Sequence, residues 1–136
     1  MNPFYNFKIM AAVKENKFRI KIPVYDSEIH VVITSNVQET YKRLCKRLNW
    51  LNLLEDISEA SQDSACFIYG EEEVGDYYLI LPYNADMFLI SHEVLHATFI
   101  ILDDHSVMFS RSNHEAFTYL HGHIMETVYN KLKSFK

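Results

Sequence analysis

The sequence predicts an α+β fold. A small, mostly antiparallel sheet of two hairpins should precede a long apolar helix and a C-terminal helix. Three observations carry this. Alternating apolar and polar residues recur in two regions, 17–34 and 64–82. Apolar residues at spacings of three and four mark 36–53, and a nearly continuous apolar run follows from about 86 to 103. Turn residues separate these blocks.

With 136 residues, about half of them apolar, and only three Gly and three Pro, the chain reads as one globular domain spanning 1–136. The net charge of -5 gives no support to a nucleic-acid or membrane-surface role. Cys45 and Cys66 lack metal-type spacing and read as buried hydrophobes or free thiols. Ile9 to Val13 is too short for a secretory core segment, and no apolar run reaches transmembrane length. A cytoplasmic protein is the expectation.

Taken in order, Phe4, Phe7 and Met10 recur at helical spacing and suggest an N-terminal turn or short helix. Phe18, Ile20 and Ile22 alternate with Arg19 and Lys21, and Ile29, Val31 and Ile33 alternate with His30, Val32 and Thr34. Pro23 to Ser27 supplies the turn, and His30 is expected exposed on its strand. Val37, Tyr41, Leu44, Leu48 and Leu51 form the stripe of an amphipathic helix over 36–53. Ser35 or Asn36 should cap it, with Glu39 as the capping-box partner. Lys42, Arg43, Lys46 and Arg47 lie off that stripe. Without aromatic interleaving they read as a solvated face and not as a nucleic-acid contact.

An acidic link runs from Glu55 to Asp63. Strands are expected at Ala65–Tyr69 and Tyr77–Leu81, joined through Gly70–Asp76, whose three glutamates read as a solvated loop tip. Asn84 or Asp86 then caps a helix to about Asp103, apolar nearly all round and so expected to be buried on most sides. The last helix starts near Ser112 or Asn113.

Within the apolar helix stands His92-Glu93-Val94-Leu95-His96, an H-E-x-x-H pattern. Residues four apart share a helix face, so both imidazoles can reach one metal ion. Glu93 stands beside them as a general base, and Glu115, after eighteen intervening residues, is placed to give a carboxylate ligand from the next helix. Polar groups buried in such a helix are costly unless satisfied, and a divalent zinc ion would satisfy them. The competing reading is a set of core histidines bonded to carbonyls, with Glu93 paired to an Arg. His105 and His114, at the helix junction, read as loop or cap residues.

The motif, with Glu115 inside Asn113-His114-Glu115-Ala116-Phe117, resembles the gluzincin zinc metallopeptidases. The short chain is most similar to the single-domain minigluzincins, and to small H-E-x-x-H proteins of phages and prophages. The motif-bearing part spans residues 92–123. The resemblance implies His92, His96 and Glu115 as Zn2+ ligands and Glu93 as base. It also implies that a strand within 65–82 forms the edge along which an extended peptide lies. Ala97 matches the small residue often found after the second histidine. Tyr119 stands where larger members often carry a carboxylate that orients a ligand histidine. For the group that stabilises the tetrahedral intermediate the candidates are Tyr119, His123, Tyr83 and His121. Tyr119 and His123 share roughly the face of Glu115, whereas His121 points away. The expected function is a zinc-dependent peptidase acting on a peptide or a flexible protein segment. The alternative is a non-catalytic, zinc-stabilised module that binds a partner protein.

Overall fold

The computed structural model describes residues 12–50, 65–70 and 75–135. The order is β1 (Glu15–Ile22), β2 (Ser27–Thr34), α1 (Val37–Leu48), β3 (Cys66–Tyr69), β4 (Asp76–Pro82), α2 (Met87–Asp104) and α3 (His114–Ser134). The four strands form one sheet in the order β1-β2-β4-β3. β1/β2 and β3/β4 are the two expected hairpin pairs, both antiparallel. They join through a parallel β2/β4 pairing, with α1 in the connection, as parallel neighbours need a long crossover. The fold is α+β, with a mostly antiparallel sheet.

The strand alternation divides the molecule into two layers. Ile20, Ile22, Ile29, Val31, Ile33, Tyr77, Leu79 and Leu81 face α2 and α3 and form the larger core with Ile90, Val94, Ala97, Ile101, Ile124 and Val128. The opposite phase, Val32, Tyr78, Ile80 and Ile68, packs against Val37, Tyr41, Leu44 and Cys45 of α1. Burying these side chains contributes roughly 1.5–3 kcal/mol each. His30 lies on this second face, half-buried and stacked on Tyr78 at 4.8 Å, more enclosed than the alternation alone implies.

Asn36 caps α1 by accepting from the Glu39 N–H at 3.1 Å. The expected reciprocal bond from Glu39 is replaced. The Asn36 N–H donates to the Thr34 hydroxyl, and Glu39 lies 3.9 Å from Lys42. α1 stops at Leu48, short of the predicted 53, because Asn49 turns left-handed (φ 60°) and its N–H returns to the Cys45 and Lys46 carbonyls. Asp86 caps α2 through the Leu89 N–H at 2.8 Å. At the other end the Tyr77 hydroxyl of β4 donates to Asp104 at 2.6 Å, tying strand to helix. His105 donates to the Ile101 carbonyl at 2.7 Å and packs on Tyr25, so it is a cap residue as expected. Asn113 occupies the N-cap position of α3 but makes no side-chain cap bond. Its amide turns back to the Met108 carbonyl.

Three expectations fall outside the described residues: the N-terminal turn over Phe4, Phe7 and Met10, the link from Glu55 to Asp63, and the triple-glutamate tip at 71–73. Cys45 and Cys66 are free thiols. Among the described residues no helix is long and apolar enough to cross a membrane.

Candidate metal centre

α2 is not buried on most sides. The sheet and α3 cover Ile90, Glu93, Val94, Ala97, Thr98, Ile101 and Leu102, and the opposite face stays in solvent. Phe88, Leu95 and Phe99 are 78%, 47% and 43% exposed although they are large and apolar. One sheet face and one neighbouring helix do not span the helix circumference, so an all-round apolar sequence leaves a strip uncovered. His92 and His96 lie on that strip and are exposed. The burial cost predicted for the whole motif therefore falls on Glu93 alone, which is 8% exposed.

The i, i+4 spacing brings the histidines together. Their Nε2 atoms are 3.2 Å apart, and the rings meet edge-on with centroids 4.8 Å apart. Two nitrogens held at about 2.0–2.1 Å by one tetrahedral zinc lie roughly 3.3 Å apart, so the pair fits two positions of such an ion. The same distance suits an N–H···N hydrogen bond when one imidazole donates from Nε2.

Glu93 projects to the inner side of the helix, towards β3. β3 is an edge strand, and its register explains what Glu93 meets there. The Gly70 N–H donates to the Asp76 carbonyl, and the antiparallel ladder then pairs Ile68 with Tyr78 and Cys66 with Ile80. Phe67 and Tyr69 consequently turn their backbone groups away from β4. The Phe67 N–H meets the Glu93 carboxylate. Burial raises the Glu93 pKa above the ordinary carboxylate range, while the neighbouring His92 and the Phe67 N–H pull it down. The Cys66 thiol is pushed up by burial first, then by the Glu93 charge. No ion pair among the described residues includes Glu93, so the arginine partner of the competing reading does not appear there.

The candidates on α3 lie elsewhere. Phe117, Leu120, Ile124, Val128 and Leu132 face the core. Glu115 and Tyr119 lie on the opposite, outward side of α3. The Glu115 side chain is 87% exposed, with its nearest charged neighbour, His114, at 4.0 Å, and Tyr119 is 70% exposed. His123 flanks the two faces and does not share that of Glu115. Its Nε2 lies 3.1 Å from the Lys21 carbonyl and bonds to the end of β1. Tyr83 donates to Asn16. Among the described residues no group of three His, Cys, Asp or Glu side chains is close enough together to hold a metal ion.

Two features of the site were not read from the sequence. One is the backbone contact between Glu93 and the β3 edge, which depends on strand order. The other is the apolar rim of Phe88, Leu95, Phe99 and Phe109. Phe99, Phe109 and Phe117 cluster with ring centroids 5.1–6.1 Å apart. The excess of apolar residues round α2 was the available signal, and it pointed to burial. Comparison with protein-family models, curated proteins and solved structures found no match.

Proposed function

We propose that the chain is a zinc-dependent peptidase of gluzincin type, acting in the cytoplasm on flexible protein segments. The observation that supports this best is the His92–His96 pair at ligand spacing, next to a buried carboxylate that faces a strand edge. Two neutral imidazoles suit zinc, and Glu115 is the carboxylate that completes the set in this reading. The first turn of α3 must therefore bring Glu115 towards α2 when metal binds. Zinc bound there supplies Lewis-acid polarisation and lowers the pKa of water at the site.

The protein's own groups do the rest. Glu93, held above the usual carboxylate range, accepts a proton from the attacking water and passes it to the leaving amine as the peptide C–N bond breaks. Phe67 and Tyr69 offer backbone groups to an extended substrate, which would lie as an added strand beside β3. The apolar rim of Phe88, Leu95 and Phe99 suits apolar side chains of that segment.

A second reading is favoured by the outward placement of Glu115 and by the same exposed rim: a non-catalytic module whose apolar face binds a partner protein. Elemental analysis of the purified protein, followed by a cleavage screen on unfolded proteins, separates the two. Stoichiometric zinc with cleavage that disappears in Glu93→Gln supports the peptidase. Zinc without any cleavage supports the module, and no metal at all overturns the peptidase.

A further inference from the structure

On the sheet face opposite the histidine pair, α1 packs against Val32, Ile68, Tyr78 and Ile80. Register places Arg19, His30 and Tyr78 side by side across β1, β2 and β4, with Lys17 beside Val32 in the next row. A cavity of about 330 Å³ opens there, lined by Lys17, Arg19, His30, Leu44, Arg47 and Tyr78 among others. Its volume is at the low end for small-molecule sites, enough for one ring-bearing molecule and too small for a polymer.

Two properties define its chemistry. The first is charge. Arg19 is engaged with Glu28 at 3.6 Å, but neither Lys17 nor Arg47 has an ion-pair partner among the described residues. Two cations at one cavity with no ion-pair partner among the described residues stand out in a chain of net charge -5. Together they match a dianion, the state a phosphate monoester approaches at neutral pH. The second is aromatic surface. His30 stacks on Tyr78 with planes 17° apart, and Trp50 meets the edge of Tyr78 at 5.8 Å. The fold brings His30 and Tyr78 from two neighbouring strands to the side of the cavity that Arg47 lines.

We propose that this cavity binds a small aromatic phosphate monoester, of the nucleoside monophosphate class. The phosphate sits between Lys17 and Arg47, and the base lies against the His30–Tyr78 stack. The site is independent of the proposed peptidase centre.

Trp50 is the sole tryptophan and borders Tyr78, so its fluorescence reports on the cavity. Titration of the intact protein with adenosine 5′-monophosphate should give a saturable change that weakens with added salt. The double variant Lys17→Glu, Arg47→Glu should bind at least about tenfold more weakly. Both side chains are exposed, so its circular dichroism spectrum should match wild type, with only a small fall in melting temperature from the new Glu in the last turn of α1. His30→Ala should also weaken binding while leaving a response to inorganic phosphate. The absence of any saturable signal by fluorescence and of heat by calorimetry at millimolar ligand overturns the site. Equal binding by the double variant overturns the placement. Adenosine binding as tightly as its monophosphate overturns the anion requirement, and inorganic phosphate doing so overturns the role of the ring.

Discussion

α2 and α3 each carry candidate ligands, and the two helices assemble them differently. On α2 the pair follows from helix geometry: residues four apart share a face, and the imidazole nitrogens lie 3.2 Å apart. On α3 the placement of Glu115 depends on which face of the helix the core takes. Phe117, Leu120, Ile124, Val128 and Leu132 claim the inner face, and Glu115 is left outside. In the proposed site, two of the three donors are brought together by local spacing, and the third, which depends on docking, would have to move. Metal binding should then be a two-part event, with weak capture by the pair and tightening by the carboxylate.

That difference can be broken or sharpened by substitution. The largest effect is expected on α2: His92→Ala or His96→Ala should lower zinc affinity more than 100-fold, beyond the roughly 10–100-fold typical of outer partners, as measured by competition with a chelating dye. Glu93→Gln should keep the zinc and reduce cleavage by about 10²–10⁴-fold, the usual contribution of a positioned base. For Glu115→Gln the expected loss of zinc affinity is about 10–100-fold, smaller than for either histidine because the pair persists. An affinity equal to wild type would remove Glu115 from the donor set and leave the binding-module reading in place. Tyr77→Phe should cost about 1–2 kcal/mol in a denaturant melt through the lost bond to Asp104, with metal content unchanged.

The smallest effect concerns pH. The folded-state pKa of Glu93 is raised, so the native chain holds that proton more tightly than the unfolded one. Its burial penalty is absent below the unfolded carboxylate pKa, grows between the unfolded and the folded values, and is full above the folded one. Metal-free Glu93→Gln should therefore melt above wild type at neutral pH, and the two should converge as the solution is acidified.

The same contrast explains how much of the molecule was legible in the residues. The strands, α2 and the caps at Asn36 and Asp86 depend on periodicity and on polar side chains within three residues, so they were readable. The end of α1 was misplaced because Leu51 continued the apolar stripe, whereas Asn49 could close the helix in a left-handed turn. The exposed strip on α2 was missed because periodicity describes what a helix offers and not how much its neighbours can cover. His123 shows the same limit: helix spacing put it roughly with Glu115, and a carbonyl on a strand about a hundred residues earlier in the chain holds it.

The carboxylate of Glu93 also bears on solubility. An edge strand with outward backbone groups is a template on which other chains can pair, and an inward charge at the edge is one device that blunts it. β3 is only four residues long, and the Phe67 N–H is covered by Glu93. A substitution such as Glu93→Ala removes that cover as well as the base. It should associate more readily in concentrated solution than Glu93→Gln, whose amide oxygen can still accept from Phe67. The protein thus guards a sticky edge with the group that its proposed chemistry would need to free.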